Sequence, residues 1–232
     1  MKLLLSNPRY GSTFASRYFQ AYNEKTMEAE TLPELYCEYL SPKLFPIPIE
    51  EKIERIEQAR KNGRELLFQV HAPHLFHPYK DGLILDWFNE FYKDAEIYKL
   101  CRKDLWRPFL SLFVHHFRKK QKTSWLNPWH NDSDNATKNI MKYINDTEFV
   151  FEQHFVDRFF EQYEMLNSIE GEVLYLEEND HESFNRMLGV DIPEIIKPWK
   201  IDYEGCIPEK TLLHLEHAFQ EKINTLKMRK QS

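Results

Sequence analysis

The chain has 232 residues, 42% of them hydrophobic, 29% charged and 15% aromatic, with 6 Gly and 12 Pro. That composition excludes collagen-like, disordered and low-complexity chains, and the length allows one substantial domain or at most two small ones. A formal charge of -6, from 31 basic and 37 acidic residues, argues against a general nucleic-acid or anionic-membrane binder, where a positive field is expected.

The charge is uneven. Met1 to Asn23 holds Lys2, Arg9 and Arg17 and no acid, and Cys101 to Lys122 holds seven basic residues against Asp104 alone. Glu161 to Glu194 carries ten acids against Arg186. Two basic segments in an acidic chain suggest a local anion site, although solvated helix faces give such runs more often. Cys37, Cys101 and Cys206 are too few and too widely spaced for a disulfide framework or a CxxC motif, so reduced thiols are expected. No apolar run forms a signal-peptide core or approaches the roughly 20 residues of a membrane span. The expectation is a cytoplasmic chain without a membrane span, and the N-x-S/T triplets at Asn131, Asn135 and Asn145 read as chance.

In chain order, residues 2–6 (KLLLS) read as a strand that stops at Asn7-Pro8, and 13–23 as a helix. Pro33, Pro42, Pro46 and Pro48 leave room only for a broken helix around 34–39. Ile49, Ile53 and Ile56 share a face of a helix that Gly63 is placed to end. Residues 66–71 read as a buried strand broken by Pro73, 83–92 as a helix and 96–101 as a further strand. Asp104 is a plausible N-cap for a helix towards Lys120, followed by a Trp-containing loop, 123–134, and a long helix through Ser168. In that last stretch Ile144, Phe151, Phe155, Phe159 and Tyr163 share a core face. A strand at 172–176, a helix at 180–188 and a last helix over about 208–227 complete the chain.

Short apolar strands separated by helices, without a strong hairpin signal, predict an α/β fold with a parallel sheet. Sites in such sheets lie beyond the carboxyl ends of the strands. Arg9, His71, Arg102 and Glu177 lie at or just after the four strand ends.

Asn7-Pro8-Arg9-Tyr10-Gly11-Ser12-Thr13 has the composition of an anion cradle: backbone N–H groups and a helix start to face a phosphate or sulfate, Arg9 for charge, Ser12 and Thr13 for hydroxyl donors. An ordinary strand-to-helix turn is an equal alternative. A Walker A loop is excluded, because its second Gly and its Lys are missing.

The Pro8-Arg9-Tyr10-Gly11-Ser12-Thr13 segment resembles the P-[RK]-[SA]-G-[TS]-T loop of the sulfotransferase family. The resemblance implies that Arg9, Tyr10, Gly11, Ser12 and Thr13 bind the 5′-phosphosulfate of 3′-phosphoadenosine 5′-phosphosulfate (PAPS), with Phe14 near the adenine. Tyr10 departs from the usual small residue. Phe68-Gln69-Val70-His71-Ala72-Pro73 resembles the family's K-x-H-x-P strand end. His71 then takes the position of the general base, a role its near-neutral pKa suits, and Gln69 stands where many relatives have Lys. Read alone, a single His at a strand end is more often a hydrogen-bonded structural residue. His74 and His77 lie close by, but no carboxylate or thiol pattern makes a metal site of them.

The third element is a strand followed by an Arg and then a Ser that hold the 3′-phosphate. Arg102 is favoured for the Arg, because its fork suits a phosphate; Lys103 is the alternate, and Ser111 supplies the hydroxyl. Residues 172–180 resemble the family's late strand with its Y-E-D-L ending. The resemblance spans about residues 2 to 190. The Gly-rich basic motif of cytosolic small-molecule sulfotransferases is absent, so the match is to the divergent, largely microbial part of the family.

The resemblance implies a three-layer sandwich of P-loop-like sulfotransferase fold, with four to five parallel strands flanked by helices. It implies a single domain over 1–232, with helical insertions at about 26–62 and 121–168. The implied reaction is in-line transfer of a sulfuryl group from PAPS to the hydroxyl or amine of an unidentified glycan, lipid or small molecule. PAP is the product, and neither a metal nor a nucleic-acid partner is expected. Two alternatives stay open: a nucleotide kinase or phosphohydrolase with a degenerate phosphate loop, and a non-catalytic PAP-binding module.

Overall fold

Residues 2–11, 14, 15, 17, 18, 21, 22, 47–62, 67–73, 89, 90, 94–120, 153–177, 180–194, 203–205 and 207–229 are described in a computed structural model. Four of the apolar runs form strands: β1 (Lys2–Ser6), β2 (Leu67–His71), β3 (Glu96–Cys101) and β4 (Glu172–Tyr175). They pair in the order β2-β1-β3-β4, and all three pairings are parallel. The fold class is therefore α/β with a parallel sheet, as the alternation of elements predicts.

The helices are α1 (Ile49–Lys61), α2 (Trp106–Lys120), α3 (Gln153–Ser168), α4 (Asp180–Leu188) and α5 (Glu209–Arg229). Residues 14, 15, 17, 18, 21 and 22 after β1 are also helical. These agree within a few residues with the expected elements. The broken helix at 34–39 and the loop at 123–134 lie outside the described residues, as do Gly63, Ile144 and Phe151. Of the expected 83–92 helix only Asn89 and Glu90 are described, and both are helical.

The strand order creates a switch point. From β1 the chain goes to β2 on one side, then crosses back so that β3 pairs with the other side of β1, and continues outward to β4. The connections leaving β1 and β3 thus lead to opposite sides, and a switch point of this kind is where open α/β sheets place their ligands, beyond the carboxyl ends of the strands. Register sets Ser6 beside both His71 and Leu100, and Cys101 beside Tyr175, so the four strand ends lie at one edge of the sheet.

Leu3, Leu4, Leu5 and Ser6 are all buried, so both faces of β1 are covered. On one face Leu4, Leu100, Leu174 and Leu176 pack with Phe14, Ala15, Tyr18 and Tyr22 and with Phe184, Met187 and Leu188 of α4. There Tyr18 and Phe184 stack with ring centroids 4.6 Å apart, and Phe14 meets Tyr18 edge-on at 5.3 Å. On the other face the Lys99 ammonium donates to the Ile169 carbonyl (2.8 Å), just past α3. Asn7 Nδ2 donates to the carbonyl of Gln162 in α3 (2.9 Å).

The chain divides into two compact units, Met1–Lys103 with Gln162–Lys197, and Asp104–Glu161 with Pro198–Ser232. The first holds the sheet. The second is organised on Phe109, whose ring lies 5.1 to 5.8 Å from those of Trp106, Phe155, Phe159 and Phe219. Asp104 caps α2 as expected, because its Oδ1 accepts the N–H groups of Trp106 (2.9 Å) and Arg107 (3.4 Å).

Candidate functional site

Beyond β1 the backbone turns sharply. The Tyr10 N–H donates to the Asn7 carbonyl at 3.2 Å, closing a four-residue turn over Pro8 and Arg9. Pro8 fixes a negative φ at the first central position, and Arg9 has φ 72° at the second. That combination is a type II turn, whose second central residue is ordinarily glycine. An arginine there costs about 1–2 kcal/mol of backbone strain, which the surrounding structure has to hold in place.

Gly11 follows with φ 98°, and its carbonyl accepts the N–H groups of Phe14 (2.9 Å) and Ala15 (3.0 Å), starting the next helix. A Cβ on Gly11 would lie 2.5 Å from Leu176 Cδ2. Glycine is needed here twice over, for its φ and for the close approach of the turn to the end of β4. Ser12 and Thr13 lie outside the described residues.

The end of β3 meets the same turn. Tyr10 is buried, with its phenol pushed far up by desolvation and pulled partly back by the nearby Asn7 side chain; Cys101, Tyr163 and Arg102 are its other charged or ionisable neighbours. Desolvation also pushes the Cys101 thiol up to about 11. The Lys99 ammonium pulls that thiol down and the Glu177 carboxylate pushes it up.

Arg102 Nε lies 2.6 Å from Glu177 Oε1, but Nε makes no well-directed hydrogen bond, so the contact is chiefly one of charge. The other carboxylate oxygen, Oε2, accepts the Lys103 N–H (3.1 Å). The Lys103 ammonium stands 5.4 Å above the Tyr175 ring centre. Of the two 3′-phosphate candidates, Arg102 is the partly buried one, its side chain 15% exposed, and Lys103 is exposed.

His71 ends β2 at the same edge of the sheet, 3% exposed and in register with Ser6. Gln69 lies two residues earlier on the same face, fully buried. Its Nε2 donates to Ser6 Oγ (3.2 Å) while its Oε1 has no hydrogen-bond partner.

Arg9, Tyr10, Gly11 and Arg102 therefore gather around the ends of β1 and β3, with His71 at the end of the neighbouring strand. Phe14 sits in the core against Tyr18 and Phe184. Ser111 belongs to the second unit, where its buried hydroxyl donates to the Tyr203 hydroxyl (3.0 Å). Sequence reasoning placed Glu177 at a strand end but gave it no partner. The register supplies that partner: with Cys101 paired to Tyr175 in parallel strands, the residues that follow come off the sheet side by side.

Among the described residues no group of three His, Cys, Asp or Glu could hold a metal ion. No helix among them is long and apolar enough to cross a membrane. Comparison of the chain with family models, curated proteins and solved structures finds no match.

Proposed function

We propose that the chain is a PAPS-dependent sulfotransferase with a three-layer, P-loop-like fold, in which the turn after β1 grips the 5′-phosphosulfate. One observation carries the reading: Arg9 is held at φ 72° in a type II turn at the switch point of a parallel sheet. Glycine would fit that backbone without strain, whereas Arg9 brings a guanidinium to the carboxyl edge of the strands, the edge where open α/β sheets take their ligands. The order of the four sequence motifs along the chain then favours PAPS among phosphate-bearing ligands.

PAPS would supply the activated sulfuryl group. The bond from sulfur to the bridging phosphate oxygen breaks, a bond from sulfur to the acceptor oxygen or nitrogen forms, and PAP leaves. Arg9 and the turn amides would stabilise the negative charge that gathers on the leaving phosphate, by analogy with phosphoryl transfer. His71 Nδ1 or Nε2 would take the acceptor's proton. Arg102 would distinguish PAP from nucleotides lacking the 3′-phosphate.

The experiment is transfer of radiolabelled sulfate from PAPS to a panel of acceptors, with His71→Ala as control. Transfer abolished in the variant with PAP binding retained would support the reading. A second reading, a module that binds PAP without turnover, is favoured by Gln69, an uncharged side chain already bonded to Ser6 where many relatives carry a cation. PAP binding without transfer to any acceptor would favour this second reading.

A further inference from the structure

Arg102 is the partly buried cation beside the turn, and a carboxylate already stands on it. A guanidinium takes a phosphate best through one of its paired N–H edges, and one such edge begins at Nε, where Glu177 Oε1 lies 2.6 Å away. Glu177 is held from its other oxygen as well, by the Lys103 N–H at 3.1 Å. The poor direction of the Nε contact leaves that donor without a satisfied hydrogen bond.

We propose that Glu177 is a built-in competitor for anions at Arg102: a phosphate group reaches the Nε edge only by displacing the carboxylate. The inference rests on the reading of this end of the sheet as an anion site, and it adds a residue that tunes affinity there. Glu177 touches no reacting atom in this account. It acts through Arg102, and the backbone bond to Lys103 keeps it poised to return when the ligand leaves. The site is thereby weakened for ligands carrying a single negative charge and spared from holding the spent nucleotide too tightly.

The test is calorimetric titration of wild type, Glu177→Gln, Arg102→Ala and the double variant with pyrophosphate and with PAP. Gln keeps an acceptor for the Lys103 N–H while removing the charge. Glu177→Gln should bind both anions about threefold to tenfold more tightly, and the gain should vanish in the Arg102→Ala background. Unchanged or weaker binding in Glu177→Gln, or an equal gain without Arg102, overturns the competition. Tight, Arg9-dependent PAP binding with no effect of Glu177→Gln would leave the sulfotransferase reading standing and this inference refuted. A gain that needs Arg102, with PAP bound no better than pyrophosphate, would do the reverse. No anion binding by any variant refutes both. Should Glu177→Gln fail to fold, the Arg102 Nε–H resonance of wild type, assigned by its loss in Arg102→Lys, decides the matter. It should shift as pyrophosphate is added, and a fixed resonance during pyrophosphate binding overturns the inference.

Discussion

Replacing Arg9 by glycine should strengthen the fold and destroy the proposed site. Residue 9 occupies a left-handed backbone position, φ 72°, which costs an L-residue about 1–2 kcal/mol. Glycine removes that strain but gives the unfolded chain extra freedom worth about 0.5–1 kcal/mol. The net gain is about 0–1.5 kcal/mol, or up to about 6 °C in Tm for a chain of this size. The same substitution removes the guanidinium, whose charged hydrogen bonds to a phosphate are worth about 1.5–3 kcal/mol, so PAP should bind about tenfold to a hundredfold more weakly. Arg9→Ala separates the two effects, because alanine keeps the Cβ and its strain while losing the charge: affinity falls and Tm does not rise. Calorimetric titration gives the affinity and scanning calorimetry the Tm. A glycine variant that melts lower than wild type, or that binds PAP as wild type does, would refute the idea that the turn spends stability to place an arginine.

Gly11→Ala should be destabilising by at least about 1–2 kcal/mol, because the new Cβ meets Leu176 at 2.5 Å on a backbone with φ 98°. Adding Leu176→Ala should relieve the clash but not the φ, so thermal melts of the double variant should recover none of the backbone strain. The Cys101 thiol, raised from its usual 9.0 to about 11, stays protonated in the folded protein while the unfolded chain ionises. Its contribution is therefore complete below about pH 9 and is lost as pH rises towards 11, on the order of 2–3 kcal/mol. Denaturant melts at stepped pH should show that decline, with its midpoint loss absent in Cys101→Ala. Tyr203→Phe, which removes the acceptor of the Ser111 hydroxyl, should cost about 0.5–1.5 kcal/mol in urea melts and leave the preference for PAP over adenosine 5′-phosphate intact. Arg102→Ala should lose that preference.

The strands were legible because short apolar runs ended by Asn7-Pro8 or broken by Pro73 have few other readings, and because helices between them demand parallel pairing. Their order was partly legible. The unbroken Leu3-Leu4-Leu5 run suits a strand covered on both faces, as β1 is, while β4 buries Leu174 and exposes Glu172, Val173 and Tyr175, as an edge strand does. The strain at Arg9 was not legible, since Pro8 permits several turns and an arginine argues against the one adopted. Nor were the pairings of Arg102 with Glu177 and of Ser111 with Tyr203, which join residues far apart in sequence. Chemistry-bearing residue types could be named from the chain, but what already occupies each of them depends on the fold.

Binding of PAP, compared with adenosine 5′-phosphate and with ATP plus magnesium, on wild type and on Arg9→Ala, bears most directly on the central claim. The account predicts that PAP binds most tightly, and that both the 3′-phosphate and Arg9 are required for it. A preference for ATP with magnesium, or PAP binding indifferent to Arg9, would contradict it.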